Sequence, residues 1–177
     1  MSTAQNPRDA LKILEEDHRD VEQLFEAFDR APKDDLERKS TLVQRACELL
    51  TIHAIVEEEL LYPAAREALG TDDEKIDVEE AYVEHFLVKT LIEKFTQLKA
   101  GEEGFDATFR VLKENVMHHV EEEESQLFKE VRKTGLDLAA LGEKIEARKT
   151  ELQNRLTEVA TKTGTDSVTG KSAATAD

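Results

Sequence analysis

The stretch HAIVEEELLYP, His53 to Pro63, sets an imidazole and a carboxylate, His53 and Glu57, four residues apart inside an apolar helical pattern. On an α-helix, residues i and i+4 face the same way and sit about 6 Å apart along the axis. Both side chains can therefore reach one ion or two neighbouring ions. The stretch HVEEEESQLF, His119 to Phe128, repeats the device: His119 and Glu123 keep the spacing, and Leu127-Phe128 stands where Leu61-Tyr62 stands in the first copy. One pattern occurring twice in matching apolar contexts predicts two equivalent helices of an all-α fold.

Outward from His53, the residues Ala46, Leu50, Glu57, Leu60 and Ala64 share its stripe, so the two polar side chains point where leucines otherwise point. This helix is predicted from about Leu36 to Leu69, opened by a capping-box-like Asp34/Glu37 pair, bent late by Pro63 and stopped by Gly70. The helix before it is expected to open at Asn6-Pro7. Its apolar face, Leu11, Leu14, Val21, Phe25 and Phe28, has one vacancy, and His18 fills it. A third helix is expected near Asp77, with Glu80 three residues on; its stripe of Val78, Ala81, Val88, Ile92 and Phe95 also holds one histidine, His85. The fourth runs through Phe105, Phe109, Leu112, Val116, His119, Glu123 and Leu127, between the Gly101 to Gly104 turn and Gly135. Short loops make successive helices antiparallel neighbours, which sets His18 beside the second helix and His85 beside the fourth.

The two halves echo each other. Asp17-His18-x-x-Val21-x-x-Leu24-Phe25-x-x-Phe28 matches Glu84-His85-x-x-Val88-x-x-Leu91-Ile92-x-x-Phe95, and each is followed by its own HxxxE. A duplicated hairpin folded into an up-down-up-down four-helix bundle is the expectation for residues 7–135. Leu138, Leu141, Ile145, Leu152, Leu156 and Val159 predict an additional C-terminal helix over 136–161 that packs along the bundle or pairs with another copy, giving a monomer or a weak homo-oligomer. The Thr-, Ser-, Gly- and Ala-rich stretch 162–177 reads as a flexible tail.

Bulk properties agree with this. A chain of 177 residues with 39% hydrophobic content supports one domain with a core, and only three prolines and seven glycines favour helices. The single cysteine, Cys47, cannot form an internal disulfide and sits in a helical pattern as a small buried side chain. A net charge of -16, without a Lys/Arg cluster, argues against nucleic acid. With no apolar run of about twenty residues and no apolar signal segment after Met1, no membrane association is expected, and the cytoplasm is the expected location.

A single histidine on an apolar stripe is ordinarily a hydrogen-bonded core residue. His18, His53, His85 and His119 with Glu57 and Glu123 are a different case, because burying them together without partners costs several kcal/mol for each charged group. Metal removes that cost. Two carboxylates among six ligands suit two ions about 3.5–4 Å apart, with Glu57 and Glu123 as bridges. Imidazole with carboxylate fits iron, manganese or zinc. Ligation needs the neutral ring, which predicts metal loss around pH 6 and below. Glu58, Glu59, Glu121, Glu122 and Glu124 fall off the stripe and read as a solvated face, with help to entering cations as the alternative, and His118 points about 100° away from His119 and reads as a surface residue, with support of a ligand as the alternative. Tyr62 and Phe128 read as packing that closes the pocket, and Tyr82, one turn before His85, is a candidate to face the metals as ligand or hydrogen-bond donor.

Through His18, HAIVEEELLYP, Glu84-His85 and HVEEEESQLF, residues 10 to 133 resemble the hemerythrin-like family, the HHE cation-binding domains. The resemblance implies two non-haem iron ions, Fe2+ or Fe3+, held by His18, His53, Glu57, His85, His119 and Glu123 and joined by an oxo or hydroxo group. It also implies a diatomic or peroxide ligand. Oxygen-carrying members have a pair of histidines four residues apart on the third helix, and here Ala81 and Lys89 flank His85 at those positions. One imidazole is missing, which argues against simple reversible oxygen carriage. Three roles follow as expectations: a protein that binds oxygen, a related ligand or iron itself in sensing or stress response; an enzyme that decomposes hydrogen peroxide; and a metal-free helical interaction module.

Overall fold

The computed structural model describes residues 8–169, and among them there are helices and no strands. The first helix, α1 (Ala10–Asp29), is capped by Asp9, whose carboxylate accepts from the Leu11 N–H at 2.8 Å. The expected opening at Asn6-Pro7 lies outside the described residues, and the helix starts at Ala10 instead. In α2 (Leu36–Val56) the cap is Asp35, which accepts from the Arg38 N–H at 3.1 Å, rather than Asp34.

The single helix expected up to Leu69 is interrupted. Glu57–Leu61 forms a π turn, α3 (Tyr62–Ala68) follows, and extended backbone at Leu69 (φ -69°, ψ 141°) ends it. Pro63 is not the cause, because the second copy of the motif, which has no proline, makes the same turn at Glu123–Leu127. In both copies the N–H five residues on closes the ring, Tyr62 to the Glu57 carbonyl and Phe128 to the Glu123 carbonyl. The added residue puts i and i+5 on one face, so Tyr62 sits over Glu57 and not beside it.

The next helix, α4 (Asp72–Lys94), begins earlier than the expected Asp77, because Thr71 and Glu74 form a reciprocal capping box. Left-handed Gly104 (φ 90°) makes the turn into α5 (Phe105–Glu122), and α6 (Phe128–Val131) follows the second π turn. The last helix, α7 (Leu138–Thr169), runs on into the stretch expected as a tail; residues 170–177 of that stretch lie outside the described residues.

Helices α1, α2 with α3, α4, and α5 with α6 form the bundle, with two apolar clusters along its length. One gathers Leu14, Val56, Leu61, Ala81 and Leu127; the other gathers Val21, Leu50, Val88 and Val116. Every expected ligand lies between members of the two clusters, so the polar layer is enclosed at both ends. Against one side lies α7, with Leu141 and Ile145 buried, Lys149 paired with Asp17, and Arg148 bonded to Glu59 at 2.7 Å. Gly142 lets it approach: a Cβ there would stand 2.2 Å from the Arg8 carbonyl oxygen.

Candidate metal centre

Each helical hairpin supplies one imidazole pair. His18 of α1 and His53 of α2 bring their Nε2 atoms to 3.1 Å, and His85 of α4 and His119 of α5 do the same at 3.1 Å. The carboxylates lie between the pairs. Glu57 Oε2 is 3.1 Å from His53 Nε2 and 3.3 Å from His85 Nε2, while Glu123 Oε2 is 3.5 Å from His18 Nε2 and 3.7 Å from His119 Nε2. Glu57 and Glu123 thus each touch both halves. All six residues expected as ligands converge, and all are buried.

The donor set fits metal. Ligands about 2.1 Å from one cation and roughly at right angles lie about 3 Å apart, as these ring nitrogens do. Glu57 Oε1 and Glu123 Oε2 are buried without a hydrogen-bond partner. An orphaned carboxylate oxygen inside a core is costly unless something charged completes it.

Outside the cluster, each Nδ1 faces a carboxylate. Glu124 meets His18 at 2.8 Å, Asp17 meets His53 at 3.4 Å, Glu58 meets His85 at 3.0 Å, and Glu84 meets His119 at 2.7 Å. Such contacts fix ring orientation and raise ligand basicity. Cations back three of them: Arg19 on Glu124, Lys149 on Asp17 and Lys89 on Glu58 at 2.5 Å. Glu84 has His118 instead, at 3.8 Å. Glu58 and Glu124 are therefore part of the site and not a solvated face. Sequence reasoning missed the four orienting acids, though the duplication carries them: an acid precedes each lone histidine (Asp17-His18, Glu84-His85) and follows each ligand glutamate (Glu57-Glu58, Glu123-Glu124).

Protonation follows from these contacts. Burial alone would lower His18, but Glu123 and Glu124 overturn it and raise the imidazole to about 10. Burial likewise opposes, and Glu57 and Glu58 prevail, at His85, which rises to about 9. Against burial, His119, His18 and His53 hold the Glu123 carboxyl well below its ordinary range.

The two tyrosines exchange the places expected for them. Fully buried Tyr62 donates its hydroxyl to Glu123 Oε1 at 2.9 Å and lies 3.2 Å from His85 Nε2, inside the cluster rather than as packing at its edge. Burial, with Glu123 and Glu57 adding to it, pushes the phenol well above its usual value. Tyr82 is turned away and donates to the Glu58 carbonyl at 3.3 Å. Phe128, as expected, packs, stacked on His18 at 5.9 Å. His118 is exposed and pairs with Glu122 at 3.4 Å. Burial pushes the Cys47 thiol up to about 12, as suits an unreactive packing residue.

Residues 9–131 match the family described as the hemerythrin HHE cation-binding domain. Among curated relatives, a protein of Nostoc sp. named a DNA nickase is 30% identical over 86% of this chain and 42% of its own length. An uncharacterized hemerythrin-like protein of Schizosaccharomyces pombe is 32% identical over 42% of this chain and 36% of its own length. The chain thus spans under half the length of either. Among solved structures, a hemerythrin HHE cation-binding domain-containing protein of Mycobacterium kansasii superposes with a TM-score of 0.72 at 26% identity, covering 88% of this chain and 94% of that one.

Proposed function

This chain belongs to the hemerythrin HHE cation-binding domain family, and on that footing we propose that it is a non-haem di-iron protein. It takes up oxygen, a related small ligand or iron itself, in sensing or stress response. The observation that carries this reading is the pair of buried, partly orphaned carboxylates, Glu57 and Glu123, each shared between two imidazole pairs.

His18 and His53 would hold one ion and His85 and His119 the other, with Glu57 and Glu123 across both. Iron there would supply a redox-active Lewis acid with positions left for a ligand, since α4 brings a single histidine to the cluster. Glu124, Asp17, Glu58 and Glu84 keep the four rings aimed inward by accepting from Nδ1. The apolar clusters on either side exclude water. The same orphaned carboxylates disfavour the metal-free interaction module.

A second reading, peroxide decomposition, is favoured by Tyr62. Its hydroxyl is a buried proton donor 2.9 Å from Glu123 Oε1, where a proton can be held for a small ligand. The DNA-directed activity named for the Nostoc relative is not carried over, because a net charge of -16 repels phosphates. The proposed setting is the cytoplasm; no described helix is long and apolar enough to cross a membrane. By burying Leu141 and Ile145 on its own bundle, α7 favours a monomer. Anaerobic loading with Fe(II), followed by the visible spectrum on exposure to oxygen and by oxygen evolution on adding peroxide, tests the proposal. Spectral change without steady oxygen evolution supports ligand binding, and sustained evolution supports the peroxide reading.

A further inference from the structure

The duplicated halves are covered differently. On the α1 and α2 side, Ala10, Ile13, Ile52 and Val56 are all buried, and α7 packs against these two helices. The duplication places Asp77, Glu80, His118 and Glu122 at the corresponding positions of the α4 and α5 side. Among the described residues no helix covers them: Glu80 and His118 are exposed, and Asp77 and Glu122 are half-buried. An open cleft runs there between Asp77, Glu80, Glu84 and Glu122, and Glu123 forms part of its wall.

Glu123 is the link between this cleft and the centre. It is 3% exposed, its Oε2 has no hydrogen-bond partner, and it reaches the histidines of both halves. In the surface pocket beside the cleft, which shares Glu80, Glu84 and Glu122 with it, Glu84, His118 and Glu122 place ligand atoms within 4.8 Å of one another. Of the four acids that orient the histidines, Glu84 is the one backed by a histidine, His118, where the other three are backed by a lysine or an arginine. Acids crowd one another in this region: Glu130, beside the cleft, is raised by burial and by Asp77 and Glu74.

We propose that this cleft is the loading port of the metal centre, through which a divalent cation passes between Asp77, Glu80, Glu84 and Glu122 to Glu123. The port rests on the metal-binding reading above. An acidic cleft with low-dielectric walls focuses its field and speeds cation capture by roughly 10 to 1,000-fold. On the opposite side α7 covers the apolar residues, and the pocket beside them carries Arg45 and Lys149 together with Asp17, Asp20 and Glu48, so its field favours a cation less than that of the all-acidic cleft.

The test is the rate of anaerobic Fe(II) uptake by the metal-free full-length protein, with chelator quenching at successive times and metal analysis of the protein. The double variant Asp77→Asn with Glu80→Gln should load about tenfold more slowly at low salt and reach the wild-type metal content. Its rate should also respond less to salt than the wild-type rate does. The control Glu93→Gln with Glu114→Gln removes the same charge from positions on α4 and α5 away from the cleft and should load at the wild-type rate. Equal rates for wild type and the Asp77/Glu80 variant, or equal slowing in the control, overturn the port while leaving the centre intact. Failure of the wild type to acquire metal overturns both.

Discussion

Metal binding should expel about two protons at pH 7 from His18 and His85 alone. In the metal-free protein the carboxylates around these rings hold them at about 10 and about 9, so both are charged at neutral pH. Ligation requires Nε2 to be free, so each ring must release its proton. Proton competition therefore begins well above the pH 6 expected for ordinary imidazole. Titration calorimetry of anaerobic Fe(II) binding, in buffers of differing ionisation enthalpy, counts the protons. The stability of the metal-free protein carries the same signature. Both folded values are raised above the ordinary 6.5 of histidine. Their contribution is thus fully present below about 6.5 and is lost as pH rises through about 9 and about 10. Thermal unfolding of the metal-free protein should accordingly fall in midpoint from pH 7 to pH 10. Release of less than about one proton at pH 7, together with a flat or rising midpoint, would refute the charged state of His18 and His85.

His53→Ala and His119→Ala should lose metal, whereas His118→Ala should keep full content at equilibrium, as elemental analysis of loaded and desalted protein will show; equal content in all three would refute the ligand set. Tyr62→Phe leaves a buried oxygen of Glu123 without its donor and should destabilise the metal-free fold by about 1–3 kcal/mol in denaturant titration. Gly142→Ala drives a methyl group to 2.2 Å from the Arg8 carbonyl oxygen. It should force α7 off α1 at a cost of about 1–3 kcal/mol, read as a lower unfolding midpoint, while metal content is preserved.

The bundle and its six-residue centre are legible in the sequence because burial and periodicity speak together: a histidine or glutamate in an apolar stripe must find its partners inside the core. Even the pairing of His18 with His53 and of His85 with His119 follows from loop length alone. The helix openings are less legible, since several residues able to cap stand near each start and only backbone geometry selects among them, Asp35 over Asp34 and Thr71 over Asp77. The tyrosines trade places for a specific reason. An α-helical count puts Tyr62 away from Glu57, but the π turn at Glu57–Leu61 adds a residue and swings it into the centre. Hydrophobic periodicity does not signal a single-turn widening. The orienting acids are hidden for another reason, since Glu58 and Glu124 lie off the apolar stripe and reach the histidines across helices rather than along one.

In the proposed centre, Glu57 and Glu123 join two metal ions inside the core. The most direct measurement is the iron content of protein loaded anaerobically and freed of excess metal, for the wild type and for Glu57→Ala with Glu123→Ala. Two ions per chain are predicted in the wild type and none retained in the double variant. One ion or none in the wild type, or unchanged content after removal of both carboxylates, would contradict the claim.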